Sequence, residues 1–131
     1  MKSHVLAAAL FLSFACPALA DTGSGRPPAD SLPVPLGATR EQVILGDRIF
    51  HGEVADGQCF VCHGMDAKGT ANGNDLTNGL FIWGDGSLPA IRRTILHNME
   101  IAPRMDGGLT AADADAVAAY VWAISRQNQN R

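Results

Sequence analysis

The residue types most able to do chemistry lie in the stretch CFVCH at positions 59–63. Two cysteines three positions apart, followed at once by a histidine, could form a redox dithiol, half of a zinc site or the attachment point of a haem. A thioredoxin-type dithiol follows a strand in a βαβ unit, and no such pattern surrounds this stretch. A structural zinc ion takes four ligands, and the other histidines after residue 20, His51 and His97, form no second ligand pair. The haem interpretation is therefore favoured.

The spacing of the motif agrees with haem attachment. Residues three apart on a helical turn share a face, so the thiols of Cys59 and Cys62 can reach the two vinyl groups on one edge of a porphyrin. The imidazole of His63 would then lie under the iron as the proximal ligand. The sequence predicts one haem c, covalently attached through Cys59 and Cys62, with His63 as an iron ligand.

The iron needs a sixth ligand if the protein only carries electrons. Met65 lies two residues after His63, on the proximal side, and cannot reach the opposite face. Met105 lies in the irregular segment APRMDGG, where the backbone could carry a thioether across the distal face. We predict Met105 as the sixth ligand. Met99, which packing alone would explain, His97 and an open site are the alternatives.

The first twenty residues have the features of a secretory signal peptide. A lysine at position 2 precedes an apolar run at 5–14, and Ala18-Leu19-Ala20 fits a small-x-small cleavage site. We expect cleavage after Ala20 and export to the periplasm, with a lipoprotein signal using Cys16 as the alternative. In an oxidising compartment the remaining cysteines, Cys59 and Cys62, would tend to oxidise unless something occupied their sulfurs.

The charge of the chain excludes two classes of partner. The formal net charge is −3, and Lys68 is the one lysine beyond the signal peptide. Nucleic acids and anionic membranes are bound through clustered positive charge, so we expect neither. No later stretch is long and apolar enough to span a bilayer. We expect an exported, soluble monomer without an integral membrane segment.

The rest of the sequence predicts an all-α domain. Thr39, Ser87 and Thr110 are N-cap residues for helices at 40–50, 88–98 and 111–125. The intervening segment 64–86 is an irregular loop, long enough to suggest that it wraps a large apolar cofactor. The predicted organisation is a signal peptide at 1–20, a flexible proline-rich arm outside the core at 21–38, the domain at 39–126 and a polar tail at 127–131.

These features together resemble the class I monohaem c-type cytochromes of bacterial periplasms. The resemblance covers residues 45–124, and it is carried by LGDRIFHG, CFVCHG, NDLTN, WGDGS with AIRRTI, a methionine before GGLT, and AVAAYVWAI. The chain looks most like the small cytochromes that accept electrons from periplasmic dehydrogenases, often quinoproteins acting on alcohols or sugars. The resemblance implies a cytochrome c fold, with three to four helices and long irregular loops around one covalently bound haem.

The resemblance also implies how the first and last helices cross. In this family a glycine of one helix meets an aromatic side chain of the other. Gly46 and Phe50 match the first-helix positions, and Val117 and Tyr120 match those of the last helix.

The resemblance assigns further positions around the haem. The carbonyl that accepts a hydrogen bond from the proximal histidine matches Gly73-Asn74, with asparagine in place of the family's proline. The sixth ligand matches Met105, although Asp106 follows it where the family commonly has proline. Candidates for contact with the haem propionates are Trp83, for which a partly buried aromatic is the alternative, and Arg92 or Arg93, for which a solvated helix face is favoured.

With His63 and Met105 both bound, the iron would have no free position for a substrate, which favours an electron carrier over an enzyme. We expect a periplasmic shuttle from a dehydrogenase towards a terminal oxidase, docking at the haem edge near Cys59 and Cys62. Because the chain carries little positive charge, the partner's site should be neutral, apolar or mildly basic. The alternatives are a fixed haem subunit of a larger complex and a haem sensor or peroxidase with an open distal site.

Overall fold

The computed structural model describes residue 23, residues 25–101 and residues 108–128, with the side chains of 99–101 outside the description. A short 3-10 helix at Ala29–Ser31 precedes four α-helices. These are α1 (Arg40–Phe50), α2 (Cys59–His63), α3 (Leu88–Ile101) and α4 (Ala111–Ile124). Within these ranges the only β-type pairing is an isolated bridge in the loop after α2. The predicted all-α fold is confirmed.

Helix α1 begins at the predicted position because Thr39 caps it. The Thr39 hydroxyl accepts from the N–H of Gln42 at 3.2 Å, and the Gln42 side-chain oxygen accepts from the N–H of Thr39 at 2.9 Å. This reciprocal pair satisfies two donors that the first turn of a helix leaves unpaired. Thr110 and Asp113 form the same arrangement at the start of α4. The predicted N-caps of both helices are confirmed.

Helices α1 and α4 cross at Gly46. A Cβ atom at this position would overlap the carbonyl oxygen of Ala116, so the two backbones approach this closely only because residue 46 is glycine. Beside the crossing, Phe50 and Tyr120 are fully buried and meet edge to face, with ring centroids 5.4 Å apart. Val117 is buried with them. The crossing implied by the family resemblance is confirmed.

The segment before α1 packs on that helix, which corrects the expectation that the proline-rich arm stays outside the core. Leu32 is 3% exposed and belongs to the same apolar cluster as Val43 of α1. The guanidinium of Arg40 donates to the carbonyl oxygens of Ala29 and Leu32. The burial of Leu32 and the two hydrogen bonds from Arg40 therefore attach this segment to α1, although its composition predicts only an extended chain.

Candidate haem-attachment site

Helix α2 is a single turn that presents the motif to a cavity. Cys59 begins the helix and His63 ends it. Neither cysteine forms a disulfide, and both line the cavity. Burial raises the pKa of the Cys59 thiol to about 11. A redox-active dithiol depends on a lowered thiol pKa, so this environment disfavours the dithiol alternative.

The cavity in front of this turn has a volume of about 710 Å³, which is in the range of roughly 300 to 1,000 Å³ typical of cofactor sites. Its apolar wall is formed by side chains of α3 and α4, namely Ile91, Ile95, Val117 and Val121. Leu76 and Phe81, from the loop after α2, line it as well. Two thiols and an imidazole at one edge of an apolar cavity fit the attachment of a haem.

Residues 59–76, called here the proximal segment, are held together by backbone contacts. The Thr70 hydroxyl donates to the carbonyl oxygen of Cys62 at 2.5 Å, and the N–H of Thr70 donates to the carbonyl of Gly73 at 2.8 Å. A Cβ atom at Gly73 would lie 2.6 Å from the oxygen of Cys62, so the close approach of loop and helix requires glycine. These contacts bring the next residue, Asn74, beside His63.

The Nδ1 atom of His63 lies 2.8 Å from the carbonyl oxygen of Asn74. A carbonyl only accepts, so Nδ1 carries a proton, and the lone pair of the neutral ring is then on Nε2. An imidazole binds iron through such a lone pair, with the opposite N–H held by a carbonyl or carboxylate. The carbonyl expected at Gly73-Asn74 is thus that of Asn74. The contact is made with asparagine in place of proline because it uses the backbone oxygen.

The other candidate residues have different surroundings. Trp83 lines the cavity but is 72% exposed. Arg92 pairs with Asp115 of α4 and so holds two helices together, whereas Arg93 is exposed. His51 is buried with both ring nitrogens hydrogen-bonded, as expected for a satisfied histidine.

The predicted sixth ligand, Met105, lies outside the described residues, as does the predicted signal peptide at 1–20. Helix α3 continues to Ile101, so the backbone of Met99 is helical, but its side chain is outside the description. Met65 is 45% exposed. Met105 therefore stays a prediction.

Sequence reasoning missed the roles of Thr70 and of a charged cluster at the end of α1. Thr70 lies in a Gly- and Asn-rich loop, where a hydroxyl residue is common and its position gives no signal. The cluster joins Arg26 to Asp47, 21 positions apart. Neither contact follows from local spacing.

An all-α domain in which a Cys-x-x-Cys-His turn faces an apolar cavity defines a c-type cytochrome. The family model for cytochrome c matches residues 45–125, and the chain belongs to that family. Its cofactor is one haem c attached covalently through Cys59 and Cys62, and the family's chemistry is haem-based electron transfer. No solved structure matches the chain at a significant level. In the described ranges, none of the helices has the length and apolar character needed to cross a membrane.

Proposed function

We propose that this cytochrome is a periplasmic electron carrier whose iron is bound by His63 and Met105. When bound, the haem supplies an iron atom that takes up and releases one electron. The observation that carries the proposal is the 2.8 Å hydrogen bond from His63 Nδ1 to the Asn74 carbonyl. It fixes the ring orientation and leaves Nε2 free to bind a metal.

The role of a carrier, as opposed to an enzyme, rests on Met105. A thioether in the sixth position leaves no site for a substrate and favours the reduced state of the iron. The chain offers Met105 in a segment with proline and a glycine pair, where a side chain can be presented outside helical geometry.

The proposed electron path runs from a periplasmic dehydrogenase to the carrier and on towards a terminal oxidase. The family resemblance and the features of residues 1–20 support this path. Docking would take place at the edge carrying Cys59 and Cys62, where Val61 is 49% exposed. Electron-transfer complexes have small interfaces, and with Lys68 as the sole lysine after residue 20 the partner's surface should be neutral, apolar or mildly basic.

The ligand set is tested by the visible spectrum of protein matured with the haem-attachment machinery, recorded oxidised, reduced, and reduced with carbon monoxide. We expect a low-spin spectrum with the weak far-red band of methionine-bound ferric iron, unchanged by carbon monoxide. Met105→Ala should lose that band, whereas the control Met65→Leu should keep it. High-spin iron that binds carbon monoxide in the unaltered protein would overturn the carrier and favour a sensor or peroxidase.

The place of the protein in the cell and its partner need separate tests. Mass spectrometry of the periplasmic fraction should show a mature chain that starts at Asp21. Rates of electron transfer from candidate dehydrogenases should fall little with added salt. Stable co-purification with a dehydrogenase or oxidase would replace the shuttle with a fixed subunit.

A further inference from the structure

His51 is a buried histidine whose two ring nitrogens both face oxygen acceptors. Its Nδ1 lies 2.7 Å from the carbonyl oxygen of Asp47 and 3.1 Å from the Asp47 carboxylate. Its Nε2 lies 2.9 Å from the carbonyl oxygen of Met65. A neutral imidazole has one N–H and one lone pair, and a carbonyl only accepts. A neutral ring would therefore set a lone pair against an oxygen on one side, and only the doubly protonated cation satisfies both sides.

The charges around His51 place a carboxylate beside its ring. Arg26 donates to both carboxylate oxygens of Asp47, at 2.8 and 2.5 Å, and also to Glu53 at 2.6 Å. Arg48 lies 3.5 Å from Glu53, so these two arginines face the two anions Asp47 and Glu53. The partly exposed pair Arg48 and Glu53 is screened by solvent, whereas the buried Asp47 carboxylate lies against the His51 ring and favours its charged form.

The other titratable groups around His51 do not supply a competing charge. Tyr120 of α4 stacks edge-on to the His51 ring with centroids 5.9 Å apart, and burial and the Asp47 carboxylate raise its pKa, so it stays neutral. In the loop after α2, Asp66 and Lys68 pair with each other. Burial alone would lower the pKa of His51, but its hydrogen bonds to Asp47 and Met65 outweigh burial, and the pKa lies above its usual value.

The position of this cation relates it to the haem motif. Met65 is two residues after His63, so the bond from His51 attaches the start of the loop after α2 to the end of α1. Phe50, the residue before His51, has its ring centroid 6.4 Å from that of His63. The end of α1 therefore meets the motif through the rings of Phe50 and His63, and meets the loop that follows through the Met65 carbonyl.

We propose that His51 is a positioning residue that is doubly protonated at neutral pH and clamps the Met65 backbone, and with it the haem-binding turn, to the end of α1. A cation close to the haem favours the reduced state, because reduction adds a negative charge. Loss of the His51 proton should lower the reduction potential. This second consequence rests on the proposed binding of the iron by His63, whereas the protonation of His51 does not.

The protonation state is tested on the unaltered, matured protein in its reduced, diamagnetic form. A nitrogen–proton correlation spectrum of the labelled protein at neutral pH should show both His51 ring nitrogens protonated and slow to exchange, with the signals assigned through their absence in His51→Gln. A single protonated nitrogen at neutral pH would overturn the proposal. Carbon monoxide keeps the reduced iron diamagnetic where the sixth position is open, so with it the readout needs neither Met105 as a ligand nor electron-transfer activity.

The coupling to the haem is tested by the reduction potential as a function of pH. The unaltered protein should show a fall in potential over the pH range in which the His51 signals titrate, and His51→Gln should lack that step. Glu41→Gln is the matched control, because Glu41 is an exposed charge at the start of the same helix and is screened by solvent. A flat potential across the His51 titration, or a step retained in His51→Gln, would contradict the coupling.

Two variants of neighbouring residues separate this electrostatic effect from a general loss of structure. Arg26→Gln removes a cation that disfavours protonation of His51, so the titration and the potential step should both move to higher pH. Asp47→Asn removes the counter-ion, so both should move to lower pH. Shifts of the same sign in the two variants would show that Arg26 and Asp47 do not act on the charge of His51.

Discussion

The two sides of the haem cavity are built in different ways. The proximal segment is held by hydrogen bonds to backbone carbonyls, from Thr70 to Cys62 and from His63 to Asn74. The apolar wall of α3 and α4 presents branched aliphatic side chains. Their hydrophobic contact with a porphyrin is non-directional. The difference indicates that the proximal segment sets the orientation of His63, the proposed iron ligand, whereas the apolar wall would supply affinity for the haem and exclude water.

The largest effect is expected from removing the covalent attachment. Replacing Cys59 and Cys62 together by serine should abolish covalent haem, because no thiol remains in the motif to form a thioether. Mass spectrometry under denaturing conditions measures this as the loss of the haem mass. Cys16→Ser is the control and should retain it. Haem bound covalently to the double variant would contradict the assignment of the attachment site.

The next effect concerns the close approach inside the proximal segment. Gly73→Ala should destabilise the protein by up to about 3 kcal/mol, because its Cβ would press on the Cys62 carbonyl. Gly37→Ala has open space around its Cβ, with only the cost of positive φ, about 1 to 2 kcal/mol. Denaturant unfolding of the two haem-loaded variants measures the loss of unfolding free energy in each. Equal losses would show that the approach of Gly73 to the Cys62 carbonyl is not tight.

A conservative change in the apolar wall should affect stability without affecting the iron ligand. Ile91→Val removes one buried methyl group and should cost about 1 kcal/mol. The paramagnetic shifts of the haem methyl protons, which report the orientation of the axial ligands, should stay unchanged. A large change in these shifts would show that the apolar wall also orients the ligand.

A change at Thr70 should instead affect the orientation of the iron ligand with little effect on stability. Thr70→Val should cost no more than about 1 kcal/mol, because the hydroxyl is exposed and water can replace its bond to Cys62. The shifts of the haem methyl protons should nevertheless change, since the turn carrying Asn74 is less firmly placed. Thr70→Ser keeps the hydroxyl and should restore the original shifts. Unchanged shifts in the valine variant would remove Thr70 from the positioning of His63.

The smallest effect is the dependence of stability on pH. Because the pKa of His51 is raised in the folded state, its contribution is complete below its unfolded pKa of about 6.5 and is lost as the pH rises through the folded value. The pKa of Asp47 is shifted down by its bonds to His51 and Arg26, against the opposing effect of burial, so its contribution is lost as the pH falls below the usual range of a carboxyl. Free energies of unfolding against pH, compared with His51→Gln, measure the first loss.

The features that depend on local spacing could be predicted from the sequence. The CFVCH turn, the caps at Thr39 and Thr110 and the all-α fold are of this kind, because a few adjacent residues determine each of them. The role of Gly46 could be predicted only from the family resemblance, because a glycine in a helix does not show which helix packs against it. The crossing with Ala116 then explains why no larger residue fits.

The features that depend on distant contacts could not be predicted. Leu32 enters the core although its surroundings in sequence are proline-rich. Arg26 reaches Asp47 across 21 positions, and the charge of His51 follows from two carbonyls that only the fold brings together. The composition shows how many polar and charged residues the chain has, but it does not show which of them pair when the chain folds.

The proton spectrum of the reduced, matured protein tests the central claim most directly, because the porphyrin ring current shifts protons held above the iron far upfield. The account predicts one strongly upfield methyl signal that is lost in Met105→Ala, together with a slowly exchanging Nδ1 proton of His63 bonded to the Asn74 carbonyl. The absence of an upfield methyl signal from the unaltered protein, or a His63 Nδ1 proton that exchanges freely, would contradict it.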